Sequence, residues 1–223
     1  MNNIILISVS LIAFSLVGLA QAKKIDSLYT DLSAKTCKPL KVDSADGILY
    51  RGECRGVGGY KLILLGSEHH QLLNLITPTG EEIELDLARK LGVAPSSLDN
   101  KIEWRVSREG KKLNPFALIV GVNIFDDPEN GEKAKSFLVI VKITGENACV
   151  TALVAPTIRN QNLKARELAD SPVEKSCLSA AKTDEQIRLE TDEFVSPEEF
   201  LKSILKTEDS LIVEAKGDYC AAK

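Results

Sequence analysis

The sequence predicts an α+β fold, mainly an antiparallel β-sheet meander (a sandwich or half-barrel) with a few packing helices. Two observations predict it. Apolar runs of strand length recur at regular spacing from Gly47 to Ala155, divided by short polar connections of the kind that join antiparallel hairpins. Two of those runs, Phe116 to Phe125 and Phe137 to Val141, are apolar on both faces, which a sheet with one face in water does not tolerate.

The elements follow in order. A short helical stretch is expected around Ile25 to Lys35. Strands are expected at Gly47–Cys54, Tyr60–Leu65, Gln71–Thr77, Glu82–Leu87, Lys101–Ser107, Phe116–Phe125, Ser136–Ile143 and Cys149–Ala155. Between Ile76 and Ile83, Thr77-Pro78-Thr79-Gly80 places proline and glycine where a turn needs a preset φ and a positive φ. Glu82 to Leu87 alternates acid and aliphatic, so this strand covers the core with one side only and belongs at an exposed position. The two wholly apolar runs belong at the centre, under a second layer. Another sheet, or a helix over Asn160 to Asp170, would supply that layer.

Residues 1–22 read as a secretory signal. Ile4 to Ala20 carry no charge, and Ala20-Gln21-Ala22 gives the small-x-small pattern of a cleavage site before Lys23. The alternative is an uncleaved anchor, because Met1-Asn2-Asn3 has no Lys or Arg and the apolar run approaches the roughly 18 residues that span a bilayer. A β-rich domain at 23–177 and an acidic, helical extension at 178–223 complete the division. From Ser171 onward acids outnumber bases by five, while the preceding body is close to neutral. Within the extension, Ser196-Pro197-Glu198-Glu199 has the residue types of a helix start, and Phe200, Leu201, Ile204 and Leu205 form one apolar stripe after it. No basic run exists to displace counterions from phosphate, which excludes nucleic acid as the expected partner.

Export would make the cysteines readable as disulfides. Five of them, Cys37, Cys54, Cys149, Cys177 and Cys220, allow fifteen arrangements of two bridges. Short loop closure favours Cys37 with Cys54 and Cys149 with Cys177, each contributing about 3 kcal/mol in the chain-entropy picture, and leaves Cys220 free. Neither C-x-x-C nor Cys/His clustering occurs, so no metal and no cofactor are expected.

The search for chemistry yields mostly structural readings. His69 and His70 are adjacent in a turn and would point apart. Gly56-Val57-Gly58-Gly59 precedes a strand, where a phosphate cradle would precede a helix, and reads as a hairpin connection. Asp126-Asp127-Pro128-Glu129-Asn130-Gly131 fails the EF-hand ligand spacing and reads as a turn. In Lys101-Ile102-Glu103-Trp104-Arg105-Val106, alternation sets Ile102, Trp104 and Val106 on one face and Glu103 with Arg105 on the other. That arrangement is either a core Trp backed by an ion pair or an amphipathic ligand patch, so Glu103 and Arg105 are the first binding candidates. Asn160, Gln161, Asn162 and Arg166 are a second choice. No catalytic residue is nominated.

The strings YTDLSAKTC, CRGVGGY, NKIEWRV, PFALIVGVNIFDDPENG, SFLVIVKI with ACVTALVAPT, and RNQNLKARELAD resemble those of a group of exported bacterial proteins of uncharacterised function, over about Tyr29 to Asp170. The resemblance implies no activity, cofactor or catalytic residue. The expected function is therefore a periplasmic or secreted, non-enzymatic binding or interaction module, its partner an envelope protein or a small ligand. The alternatives are a periplasmic hydrolase that uses carboxylates, and a membrane-held envelope structural component if the signal stays on.

Overall fold

The computed structural model describes residues 24–33, 35–42, 47–88, 90–91, 95–125, 134–173 and 175–178, and the backbone of 212–214. The signal segment, the Asp126–Gly131 cluster, the helix start at Ser196 and Cys220 lie outside the described residues. Two antiparallel sheets form a sandwich, and one helix covers the outer face of the larger sheet.

The smaller sheet is a sequential meander. Its strands are β2 (Lys38–Pro39), β3 (Tyr50–Arg55), β4 (Lys61–Gly66), β5 (Gln71–Ile76) and β6 (Glu82–Glu84), in that spatial order. The larger sheet has the order β1 (Ile25–Asp31), β7 (Ser96–Glu109), β8 (Lys112–Ile124), β9 (Lys135–Thr144), β10 (Asn147–Val154) and β11 (Ile212–Glu214). Helix α1 spans Gln161–Asp170. The expected strands are all present. β7 begins earlier than the apolar run suggested, and β6 is shorter, ending before Leu85.

One element differs in kind. Ile25–Asp31 is a strand, paired antiparallel along its whole length with β7, from Ile25 opposite Ser107 to Asp31 opposite Lys101. Ile25, Leu28 and Leu32 fall at helical spacing, which is why the segment looks helical. Seven residues are too few for a helix to hold without packing, and pairing with β7 satisfies the backbone instead. The same alternation then separates Leu28 and Thr30, turned to the core, from Ser27 and Tyr29, turned outward.

The sandwich core is built from alternate residues of both sheets. Leu62, Leu64, Leu73 and Leu75 from the smaller sheet meet Ile102, Trp104, Val106, Leu118, Val120, Val139 and Val141 from the larger. On the outer side of the larger sheet, Ala117, Ile119, Leu138, Ile140, Ala152 and Val154 pack against Ala165, Leu168 and Ala169 of α1. The larger sheet is thus a middle layer. β8 and β9 are buried on both faces, as their composition requires, with the second sheet on one side and the helix on the other. β6 lies at the edge of its sheet, where acid–aliphatic alternation fits.

Trp104 is fully buried and its indole N–H donates to Thr30 Oγ1 at 2.9 Å; that hydroxyl also reaches Arg55 O at 2.8 Å, tying β1, β7 and β3 together. Tyr60 lies 6.3 Å from Trp104, centroid to centroid, and donates to Gly145 O in the β9–β10 turn. The preceding glycines form the β3–β4 connection. Gly58 has φ +64°, and a Cβ there would meet Pro115 Cδ at 2.6 Å and Leu113 O at 2.8 Å, so both the backbone conformation and the close approach to β8 require glycine.

The two disulfides are Cys37–Cys54, which fastens the segment after β1 to β3, and Cys149–Cys177, which fastens the segment after α1 to β10. Bonds of this kind belong to oxidising compartments. Among the described residues no helix is long and apolar enough to cross a membrane.

Replacing Thr30 with valine keeps the shape and leaves the buried Trp104 N–H without its acceptor. Urea unfolding of Thr30→Val should show a loss of about 1–3 kcal/mol, with the emission of Trp104 still that of a buried indole in the native state.

Candidate functional site

The outer face of the larger sheet carries a charged pair on β7, where β1 and β7 emerge beside α1. Alternation along β7 turns Glu103 and Arg105 to this side, opposite Trp104, and both are buried, at 8% and 7% exposure. Buried charges persist only when paired and hydrogen-bonded. The partners come from α1. Arg166 donates through Nε to Glu103 Oε1 at 2.7 Å and through Nη2 to Oε2 at 3.0 Å. Arg105 donates through Nε to Asp170 Oδ1 at 2.7 Å and through Nη2 to Oδ2 at 2.5 Å. Each pair is bidentate, and the two are reciprocal: acid then base along the strand, base then acid along the helix.

The match is geometric. Residues two apart on a strand rise about 6.8 Å and residues four apart on a helix about 6 Å, so Glu103/Arg105 and Arg166/Asp170 come into step where the two elements run alongside each other. β1 completes the lattice. Ser27 Oγ donates to Glu103 Oε1 at 2.6 Å and accepts from Arg105 Nη1, which also reaches Glu103 Oε1 at 3.2 Å. Arg166 Nη2 donates to Tyr29 Oη at 3.2 Å.

Both ends of α1 are tied to the sheet through side chains. Asn160 enters the helix in the left-handed conformation, φ 58°, and makes no side-chain cap. Gln161 instead donates from Nε2 to Ser136 O and Val154 O, each at 3.0 Å. At the other end Lys142 Nζ donates to Ala169 O and, at 2.9 Å, to Ser171 O, placing a cation on the negative end of the helix dipole. Its ammonium also lies 5.6 Å from the Phe116 ring centre.

Ionisation follows these contacts. Burial pushes the Glu103 carboxyl up, but hydrogen bonds from Arg166 and Ser27 and the charges of both arginines outweigh it and hold Glu103 below the usual glutamate range. Asp170 raises Arg105, and Glu103 raises Arg166. Burial lowers Lys142, with Asp170 opposing and Lys175 adding to the fall. Glu103 is therefore ionised at neutral pH, held between the guanidiniums of Arg105 and Arg166.

The two separate sequence nominations, Glu103 with Arg105 and the Asn160–Arg166 group, meet in one place. Arg166 and Gln161 of the second group take part, and Ser27, Asp170 and Lys142 join without having been singled out. A charged pair set between Ile102, Trp104 and Val106, which alternation sends to the core, was the available signal that partners lie opposite. Tyr29, 55% exposed, and Leu163, 56% exposed and one turn before Arg166, border the lattice at the surface. His69 and His70 stay apart from it: His70 Nδ1 lies 3.3 Å from Ser96 Oγ, and His69 is exposed beside Glu68. Among the described residues no three His, Cys, Asp or Glu side chains converge in a metal-binding arrangement.

Glu103→Gln should lower the unfolding free energy at neutral pH by about 1–3 kcal/mol, since Arg105 keeps Asp170 while the half-exposed Arg166 loses its carboxylate. Because the folded carboxyl ionises below its ordinary value near 4.5, its contribution is complete above that value and is lost as pH falls through the lower folded one. Urea midpoints measured from neutral pH into this acid range should fall less steeply for Glu103→Gln than for the native chain.

No protein-family model, curated protein or solved structure matches this chain, so the chemistry of the site rests on its own residues.

Proposed function

We propose that the chain is an exported, periplasmic binding or interaction module that works without catalysis, and that its contact surface is the border of the β1–α1 lattice. The observation that carries this reading is Tyr29: a half-exposed aromatic whose hydroxyl is held by Arg166, on a strand fixed from below by Trp104 and Thr30. Tyrosine and arginine dominate binding hot spots because they offer large, amphipathic contact at low conformational cost. Here that cost is already met within the fold.

Glu103 and Arg105 act from beneath in this reading. They position Arg166 and α1, while Tyr29, Arg166 and Leu163 reach the partner, an envelope protein. At the lattice itself the Glu103 carboxyl is not held protonated to act as a general acid: burial of Glu103 is overcome by hydrogen bonds and charge from its arginines and Ser27. The apolar run at Ile4 to Ala20 and the two disulfides support the location.

Two measurements test the reading. Protein recovered from the envelope of its native host should have an intact mass that begins at Lys23; retention of Met1 would favour the anchored alternative. A photo-crosslinking residue replacing Tyr29 should give a discrete adduct in that host, one that weakens when Leu163→Asp is added. The same residue at Lys61, on the far sheet, should not give it. No adduct at Tyr29, or the same adduct from Lys61, would overturn this surface.

A further inference from the structure

The two disulfides differ in access. Cys37 and Cys54 are 3% and 0% exposed, inside the sandwich core, where no thiolate can approach. Cys149 is half-buried and Cys177 is exposed. Together they line a cleft of about 330 Å³ between the end of β6 and the start of β10, floored by Leu85 and Val150 and rimmed by Glu84, Asp86 and Lys90. That volume is at the small end of the range for ligand cavities. Thiol–disulfide exchange requires a thiolate to reach one sulfur, and exposed disulfides are the labile or regulatory ones.

We propose that Cys177 is a site of thiol–disulfide exchange with small thiols entering this cleft, while Cys37–Cys54 is a permanent structural bond. The thiolate attacks Cys177 Sγ, the Cys149–Cys177 bond breaks, and Cys149 leaves as a thiolate, giving a mixed disulfide on Cys177. A second thiolate attacks the sulfur of the bound thiol, releasing the small disulfide and the Cys177 thiolate. Two thiols are oxidised, one protein disulfide is reduced, and the two thiol protons end on the two cysteines.

Opening the bond has a defined structural effect. Cys149 lies on β10 and Cys177 on the strap that leaves α1, whose Leu178 N–H donates to Val150 O at 2.8 Å and whose side chain packs on the main core. Reduction removes the covalent tie between strap and strand at the mouth of the cleft.

The test uses the full chain with Cys220→Ser, so that the thiol left over from the two bridges cannot take part. Cysteamine is added under native conditions, exchange is stopped with acid, and peptides are mapped by mass without reduction, with Trp104 fluorescence followed in parallel. The expected result is a cysteamine adduct on Cys177, forming at least about tenfold faster than any opening of Cys37–Cys54, with the Trp104 signal unchanged. An adduct on Cys149, opening of both bonds together with loss of the Trp104 signal, or no adduct at thiol concentrations that reduce free cystine would each overturn the proposal.

Discussion

A sheet whose central strands are apolar on both faces is the constraint from which the rest of this architecture follows. β8 and β9 cannot tolerate water on either side, so the larger sheet must be an inner layer. The smaller sheet covers one face and contributes the bulk of the core. The other face falls to a helix of ten residues, too short to persist alone and only weakly amphipathic. Its apolar contribution is modest: two alanines and one leucine are fully or almost fully buried.

Charge supplies what that small apolar face lacks, chiefly position. A buried ion pair is weak evidence of net stability, because desolvation offsets much of the attraction. Its geometry is nevertheless selective. Sliding α1 by one turn along β7 would set Arg166 against Arg105, a like-charge contact in a dry setting, so the lattice favours one register among those the alanine face would accept. Ser27 ties β1 into the same lattice, and helix, edge strand and inner strand are fixed relative to one another by a few hydrogen bonds.

Much of this is written locally in the chain. Runs such as Phe137 to Val141 announce strands buried on both faces, Glu82 to Glu84 announces an edge, and short loop closure favoured the two disulfides that form. Ile25–Asp31 was misleading because its apolar spacing fits a helix, while the partner that makes it a strand lies 76 residues further on for the Ser27–Glu103 contact. The candidate site was legible by halves for the same reason. Glu103 and Arg105 stand out in their own strand, and Arg166 in its own helix. That the two groups meet depends on the way α1 packs against the sheet, which no local pattern encodes. Asp170 and Ser27 carry no mark until then.

The order of the strands also sets an order of events. β2 to β6 pair with their neighbours in sequence, so the smaller sheet can form from local contacts, whereas β1 waits for β7 and must close a loop around that whole sheet before a single rung of its ladder exists. Long closures of this kind slow folding. In a chain that emerges amino end first, the earliest strand to appear is among the last to be placed, and until then Trp104 lacks its acceptor and Glu103 its serine. Docking of β1 therefore adds hydrogen bonds on both faces of β7 at once, Thr30 with Trp104 on one and Ser27 with Glu103 on the other.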